Sequence, residues 1–243
     1  MKKIAILFFT FMLVFAFSFS ALAADVAADI AEADTLYDKG DVASYKAAAK
    51  LMEPYIGKNE DATWRYARAT YSTAVRLTDA ATQEKMFEKA YKAVEPYFNN
   101  GSKNIGTNYW FALCAGKYGK IKGVVKTLFL VKPMKNACKE VIKQNPGYED
   151  GAALTILGAI EYEVPGGDKK LTIDYCTKAL KYDPNAIVPN MYLARAYYKM
   201  KEYPKAKERL EHVLNNCKAV TKDEKKDMEE AKELLEKVKE KMS

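Results

Sequence analysis

The chain has 243 residues and a formal net charge of +7, from 39 Lys and Arg against 32 Asp and Glu. Its four cysteines are too few and too widely spaced for a domain built on disulfides, and no C-x-x-C motif indicates a zinc or redox centre. The single histidine, His212, lies among Lys and Glu without a nearby nucleophile. We therefore expect no catalytic residues, no metal and no cofactor.

The first 23 residues have the pattern of a cleavable secretory signal. Lys2 and Lys3 precede the uncharged apolar run 4–17, and Ala21-Leu22-Ala23 supplies the small residues of a cleavage site. A membrane anchor is the alternative, but the run is shorter than the roughly 20 residues needed to cross a bilayer. A lipid-modified signal would need a cysteine just after the cleavage point, whereas the first cysteine is Cys114. We expect a periplasmic protein whose single domain covers residues 24–243, without a membrane span.

Downstream, apolar residues recur every three or four positions, which is typical of amphipathic helices. This spacing predicts a first helix pair around residues 33–37 and 47–51 and a second around residues 64–71 and 86–93. Gly40-Asp41 and Asp79 are turn and cap signals between these helices. In the second pair Arg68 lies beside the apolar face of the helix, from where it could point into a groove.

The third repeat, residues 103–143, has nine lysines and one acid, Glu140. Aromatic residues open it, and lysines surround a tyrosine further on, so its surface could hold an anionic organic ligand or an acidic partner protein. A solvated lysine-rich face is the alternative, and the predicted export and lack of Arg argue against nucleic acid. The candidate binding residues are Tyr109, Trp110, Lys117, Tyr118, Lys120, Lys122 and, from the second repeat, Arg68.

Two cysteines lie in the same repeat, Cys114 on its first predicted helix and Cys138 on its second. If the helices are antiparallel neighbours, an oxidising compartment would permit a disulfide between them. Buried free thiols are the alternative.

The last repeats are the most regular. The turn 164–168 separates two helices and ends in Asp168, which can cap the second one. In residues 191–214, Pro204 suits the first turn of a helix, and the spacing of small and aromatic residues resembles the tetratricopeptide repeat. A capping box at Thr221-Lys-Asp-Glu224 begins a final helix, residues 221–243. We predict an all-α, right-handed superhelix of about five such helix-turn-helix pairs with this capping helix.

The segment 147–168, with its Gly-Ala-Ala, Leu-Gly-Ala and Pro165-Gly166-Gly167-Asp168 series, resembles the TRAP-transporter-associated tetratricopeptide proteins, the TatT family. This resemblance implies a periplasmic binding protein that pairs with the solute-binding component of a carboxylate transporter. It also implies oligomers and a cleft for a small organic acid or a hydrophobic ligand. A helical-repeat scaffold for assembly of a cell-envelope complex is the alternative.

Overall fold

The computed structural model describes residues 25–243, so the predicted signal, residues 1–23, lies outside the described residues. Over this part of the chain the backbone is helical throughout, with short connections and no strand. The first helix, α1, covers residues 25–38. It is followed by α2 (Val42–Met52), a 3-10 turn (Glu53–Tyr55), α3 (Glu60–Ala74), α4 (Ala80–Asn99), α5 (Ile105–Lys122), α6 (Val124–Gln144), α7 (Ala152–Glu163), α8 (Lys169–Ala179), α9 (Ile187–Lys199), α10 (Tyr203–Asn216) and α11 (Lys222–Met242).

The helices pack as consecutive pairs that stack on one another. Each helix contacts the next along the chain, and the first helices of neighbouring pairs also contact each other, α3 with α5 and α7 with α9. The first helices therefore form an inner layer and the second helices an outer layer, as in a solenoid. α11 packs on α9 and α10 and closes the stack. The prediction of an all-α repeat superhelix with a capping helix is confirmed.

Side chains that accept N–H bonds fix where several helices begin. Asp41, Asn59 and Asp79 cap α2, α3 and α4, and each accepts from a backbone N–H in the first turn. Thr221 and Glu224 form the predicted capping box of α11. α10 has Pro204 in its first turn, where the missing N–H costs no helical bond. The boundaries predicted at Asp41, Asp79, Pro204 and Thr221 are confirmed, and the cap at Asn59 is an additional finding.

A buried asparagine recurs at equivalent places in the third and fifth pairs. Asn108 near the start of α5 donates to the carbonyls of Ser102 and Asn104, both at 2.9 Å. Asn190 near the start of α9 donates to Pro184 and Ala186 at 3.0 and 2.9 Å. Each amide thus satisfies carbonyls six and four residues before it and ties the preceding loop to the helix.

The core is widest around α5. Residues 106–112 of this helix are all buried, because α3, α4, α6 and α7 surround it. A buried segment without a polar face cannot show amphipathic periodicity, so its sequence does not indicate which side chains point outward.

Two glycines of the segment 147–168 permit close approach of neighbouring backbone and side chains. A Cβ at Gly158 of α7 would lie 2.5 Å from Sγ of Cys176 on α8, so glycine lets these helices pack closely. A Cβ at Gly167 would lie 2.2 Å from the carbonyl oxygen of Glu161. Asp168 then caps α8 by accepting from the N–H of Lys170 at 2.8 Å. The predicted turn 165–168 therefore has an architectural role.

None of the helices in residues 25–243 combines the length and the apolar character needed to cross a membrane.

Candidate partner-binding groove

The two aromatic residues predicted to line a binding surface are instead part of the core. Tyr109 and Trp110 are 6% and 3% exposed. The ring of Tyr109 packs edge-on against Trp110 and Tyr148, with centroids 4.9 and 5.4 Å apart. Both side chains are enclosed by the helices around residues 106–112 of α5, so neither lies on an exposed surface.

Two of the predicted lysines form ion pairs with carboxylates of the same chain. Nζ of Lys122 lies 2.8 Å from Oε1 of Glu84 and 3.4 Å from Oε2 of Glu88, and the hydrogen bond from Lys122 to Glu84 helps raise the pKa of this lysine. Lys117 forms an ion pair with Asp223 in the first turn of α11. These lysines connect α5 to α4 and to α11.

The other two predicted residues of α5 differ in exposure. The ring of Tyr118 stacks on Tyr91 with centroids 4.6 Å apart and is half-buried. Lys120 is exposed and has no carboxylate within ion-pair distance among residues 25–243. The predicted site is therefore not one surface, and only Lys120 has its charged group available.

Arg68 fastens α3 to α1. It forms an ion pair with Asp34, to which Nε of Arg65 also donates at 2.9 Å, and its guanidinium lies 3.9 Å from the ring centroid of Tyr37. Burial disfavours ionisation of Asp34, but the hydrogen bonds from both arginines outweigh it and lower the pKa of this carboxyl. With these partners, Arg68 stabilises the first two helix pairs.

The structure has no disulfide between Cys114 and Cys138, which agrees with the alternative of buried free thiols. All four cysteines of the chain are free and buried. Cys114 and Cys138 lie among the apolar side chains of the central core, and burial raises the pKa of both thiols. They fill space as small apolar groups.

His212 likewise has a structural setting. Its Nε2 lies 3.0 Å from the carbonyl oxygen of Pro184, so it joins α10 to the loop between α8 and α9. Among the described residues no group of three or more His, Cys, Asp or Glu is placed to hold a metal ion.

A groove of about 540 Å³ lies on the outer side of the stack, between α6 and α8, with α7 as its floor. Most of its floor is apolar, and four lysines stand around it. The lining residues are Lys139, Ile142, Lys143, Pro146, Leu154, Leu157, Tyr175, Lys178, Lys181 and Tyr182. We call this the outer groove.

Two glycines hold Tyr182 in the outer groove. A Cβ at Gly147 would lie 2.7 Å from its ring, and a Cβ at Gly151 would lie 2.8 Å from the opposite ring edge. Gly151 also has a φ of +74°, in the left-handed region that glycine adopts without strain. Tyr182 is nevertheless 44% exposed, so part of its ring faces solvent. These glycines thus seat an aromatic side chain that a partner can contact.

The outer groove is positively charged. Lys178 forms an ion pair with Asp174 at 2.7 Å on its own helix. Lys139, Lys143 and Lys181 have no carboxylate within ion-pair distance among the residues that the structure describes, and no acidic residue lines the groove. The apolar floor and the lysine rim together suit an acidic peptide segment that also carries apolar side chains.

The sequence did not indicate this groove. Lys139 and Lys143 belong to the basic third repeat, but Lys178, Lys181 and Tyr182 follow them by more than 30 positions. Helix packing alone brings the two sets to the same surface. The available signal was the pair Gly147 and Gly151. Two glycines four positions apart leave room for a large neighbouring side chain, which here is Tyr182.

Residues 29–168 match the family model of the regulator of microtubule dynamics proteins 1-3, which covers more than half of the chain. The chain belongs to this family. A tetratricopeptide-repeat model matches residues 167–216, so the two matches meet at the turn before α8. This family member is thus a TPR-like helical repeat protein. No curated protein matches it.

The fold of this family member is also that of a solved repeat protein. The crystal structure of a thermophilic TPR protein from Thermus thermophilus superposes with a TM-score of 0.58. The alignment covers 86% of this chain and 98% of that chain at 13% sequence identity. The likeness is one of fold.

Proposed function

We propose that this chain is a non-catalytic adaptor that binds an acidic, partly apolar segment of a partner protein in the outer groove. The observation that carries the proposal is the apolar floor between α6 and α8 with three unpaired lysines at its rim, among the residues that the structure describes. Helical repeats of this kind present extended surfaces to other proteins.

Each part of the groove has a separate task in this proposal. Lys139 and Lys143 on one side and Lys181 on the other attract an acidic segment and set its direction. Tyr182 and the half-buried Tyr175 then contact apolar side chains of that segment. Aromatic residues held in place lose little freedom on binding, which makes Tyr182 the principal contact.

The location and the partner are narrower proposals. The signal-like residues 1–23 support export to the periplasm. The resemblance of residues 147–168 to the TatT family supports the solute-binding protein of a TRAP-type carboxylate transporter as partner, with an organic acid or hydrophobic molecule as additional ligand and a homo-oligomer as the working form. A scaffold for a cell-envelope complex is the alternative. The family description names regulation of microtubule dynamics, which is a different process from solute transport. We take from it only support for a regulatory role through binding.

The proposal is tested by photo-crosslinking from the groove. A photoreactive phenylalanine analogue replaces Tyr182, the cells are irradiated, and crosslinked proteins are identified by mass spectrometry. The same analogue at Met242, at the far end of α11, is the control for random capture. A partner captured from position 182 and not from 242 is expected, and its identity distinguishes a solute receptor from an envelope scaffold.

Charge variants complete the test. The variant K139E/K143E/K181E should lose the crosslink from position 182, because its rim repels an acidic segment. The variant K46E/K50E/K58E changes charge equally at exposed lysines of the first pairs and should keep it. Equal loss in both variants, or capture unaffected by either, would contradict binding through the outer groove.

A further inference from the structure

The hairpin of α5 and α6 ends in an exposed apolar tip. Val124, Val125 and Phe129 are 72%, 70% and 76% exposed. Ile121 and Leu128 beside them are also exposed. Single exposed apolar residues are ordinary, but five in nine positions form a contiguous patch that indicates an interaction surface. We call it the apolar tip.

The apolar tip projects beyond the following helix pair. α5 and α6 have 18 and 21 residues, whereas α7 and α8 have 12 and 11. At a rise of about 1.5 Å per residue, the additional residues extend the hairpin by about 9–15 Å. The apolar tip therefore lies at the end of the longer hairpin.

Along α6 the exposed and buried residues occupy opposite sides. Leu130 and Met134 face the core, and Thr127 packs against Gly119 of α5. The exposed apolar residues of α6 are one, three or four positions apart, which places them on the opposite face of the helix from the core. They are Val124, Val125, Leu128 and Phe129. The face is continuous, so a flat partner can contact all of it at once.

Positive charge surrounds the apolar tip. Lys120, Lys126 and Lys132 have no carboxylate within ion-pair distance in residues 25–243, and the acids that approach the tip, Glu84 and Glu88, pair with Lys122. α6 also begins at Gly123 without a side-chain cap, so its first N–H groups are free to meet an anion. Lys120 and Lys132 are exposed, whereas Nζ of the half-buried Lys126 lies 5.6 Å from the ring centroid of Tyr118.

We infer that the apolar tip is a docking surface for an anionic phospholipid bilayer, separate from the outer groove. Exposed apolar side chains at a helix-hairpin end enter the interfacial region of a bilayer without a complementary pocket, and flanking lysines bind lipid phosphates. A second copy of the chain fits less well, because tip-to-tip contact would bring Lys120, Lys126 and Lys132 of both copies together. A few side chains enter the bilayer, so the contact is reversible.

Co-sedimentation with vesicles tests this inference. The protein from residue 24 onward is used, because the apolar run 4–17 would itself bind lipid, and the described core contacts all lie within residues 25–243. Vesicles of phosphatidylcholine alone are compared with vesicles of phosphatidylcholine and phosphatidylglycerol. We expect binding to the anionic vesicles that weakens several-fold when the salt rises from about 0.1 to about 1 M, as the screening length falls from ~10 to ~3 Å.

Variants locate the contact. V125S/F129S should reduce the bound fraction several-fold and leave the melting temperature unchanged, since both side chains are exposed, whereas M242S changes an exposed apolar residue far from the tip and should bind normally. K120S/K126S/K132S should lower binding more than the control K46S/K50S/K58S. Equal binding to neutral vesicles, or binding unaffected by the tip variants, would overturn the inference. A concentration-dependent dimer that V125S/F129S abolishes would also overturn it and identify a second copy as the occupant.

Discussion

Lys117 of α5 and Asp223 of α11 form an ion pair although 106 positions separate them in the sequence. The pair joins the third repeat to the start of the last helix. Further along α11, Arg195 of α9 donates to Glu230 at 2.7 Å and to Asp227 at 2.6 Å. The capping helix is thus fastened to two inner helices, α5 and α9, as well as to its neighbour α10.

The substitution Asp223→Asn should loosen the start of α11. The ion pair is exposed, so we expect a loss of at most about 1 kcal/mol in the free energy of unfolding. For a chain of this size this corresponds to a melting temperature lower by at most about 4 °C. Hydrogen exchange should quicken in the first turn of α11 and stay unchanged in α10. Unchanged exchange in α11 would contradict a fastening role for Asp223.

The stability difference between wild type and Asp223→Asn should depend on pH. The hydrogen bond from Lys117 lowers the pKa of Asp223 below its usual value. A carboxyl with a depressed folded-state pKa contributes stability above its unfolded pKa of about 3.9, and this contribution is lost as the pH falls through the folded pKa. Melting temperatures between about pH 7 and pH 3 should show a constant gap above about pH 5 that narrows as the pH falls toward 3. A gap of the same size at about pH 7 and pH 3 would point to another cause.

Gly167→Ala should destabilise the protein more than Gly166→Ala. The new Cβ at 167 would meet the carbonyl oxygen of Glu161 at 2.2 Å, and this atom belongs to the backbone, so α7 or the turn must shift. We expect a cost of about 2–3 kcal/mol, as for overpacking in a core. At Gly166 nothing lies within 4 Å, and only the φ of +77° opposes alanine, at about 1 kcal/mol. Urea denaturation measures both, and equal costs would show that the turn can yield.

Asn190→Ala should cost about 2–3 kcal/mol in the free energy of unfolding. It removes the hydrogen bonds from the Asn190 amide to the carbonyl oxygens of Pro184 and Ala186. These bonds lie at a site where Asn190 is fully buried, so water does not readily replace them. Asn216→Ala is the matched control, because its amide binds His212 at the surface. It should change stability by less than about 0.5 kcal/mol. Similar values for the two variants would refute a role of Asn190 in holding the loop before α9.

Three of the four thiols should be inert while the protein is folded. Burial raises the pKa of Cys176 to about 12 and also raises that of Cys217, which lies at the end of α10 and is less deeply enclosed. A thiol-reactive chromophore should therefore label Cys217 first and the other three only on unfolding. In denaturant without reductant, four thiols per chain should react. Only two reactive thiols would instead indicate the disulfide between Cys114 and Cys138.

The repeat architecture could be predicted from the sequence because its signals are local. Asp41, Asp79, Asp168 and Thr221 each act within one helical turn of their own position, so spacing alone identifies them. The end of α9 and the start of α10 at Pro204 are local for the same reason.

The candidate site could not be predicted because it depends on contacts distant in sequence. Lys117 and Lys122 look available until Asp223 and Glu84 are placed beside them by packing. Tyr109 and Trp110 have the composition of a ligand surface and of a core alike, and only the neighbours of α5 decide between the two. Tyr182 enters the outer groove from a later repeat.

The outer groove spans the turn at Gly167-Asp168, where the two family matches meet. One wall comes from the part shared with the regulator family, and the other comes from the repeat that follows it. Neither part carries the groove alone, so cutting the chain at this turn would leave two fragments without a complete binding surface. Under the proposed binding in the outer groove, a change in the second part alone would alter one wall of the site and leave the other wall constant.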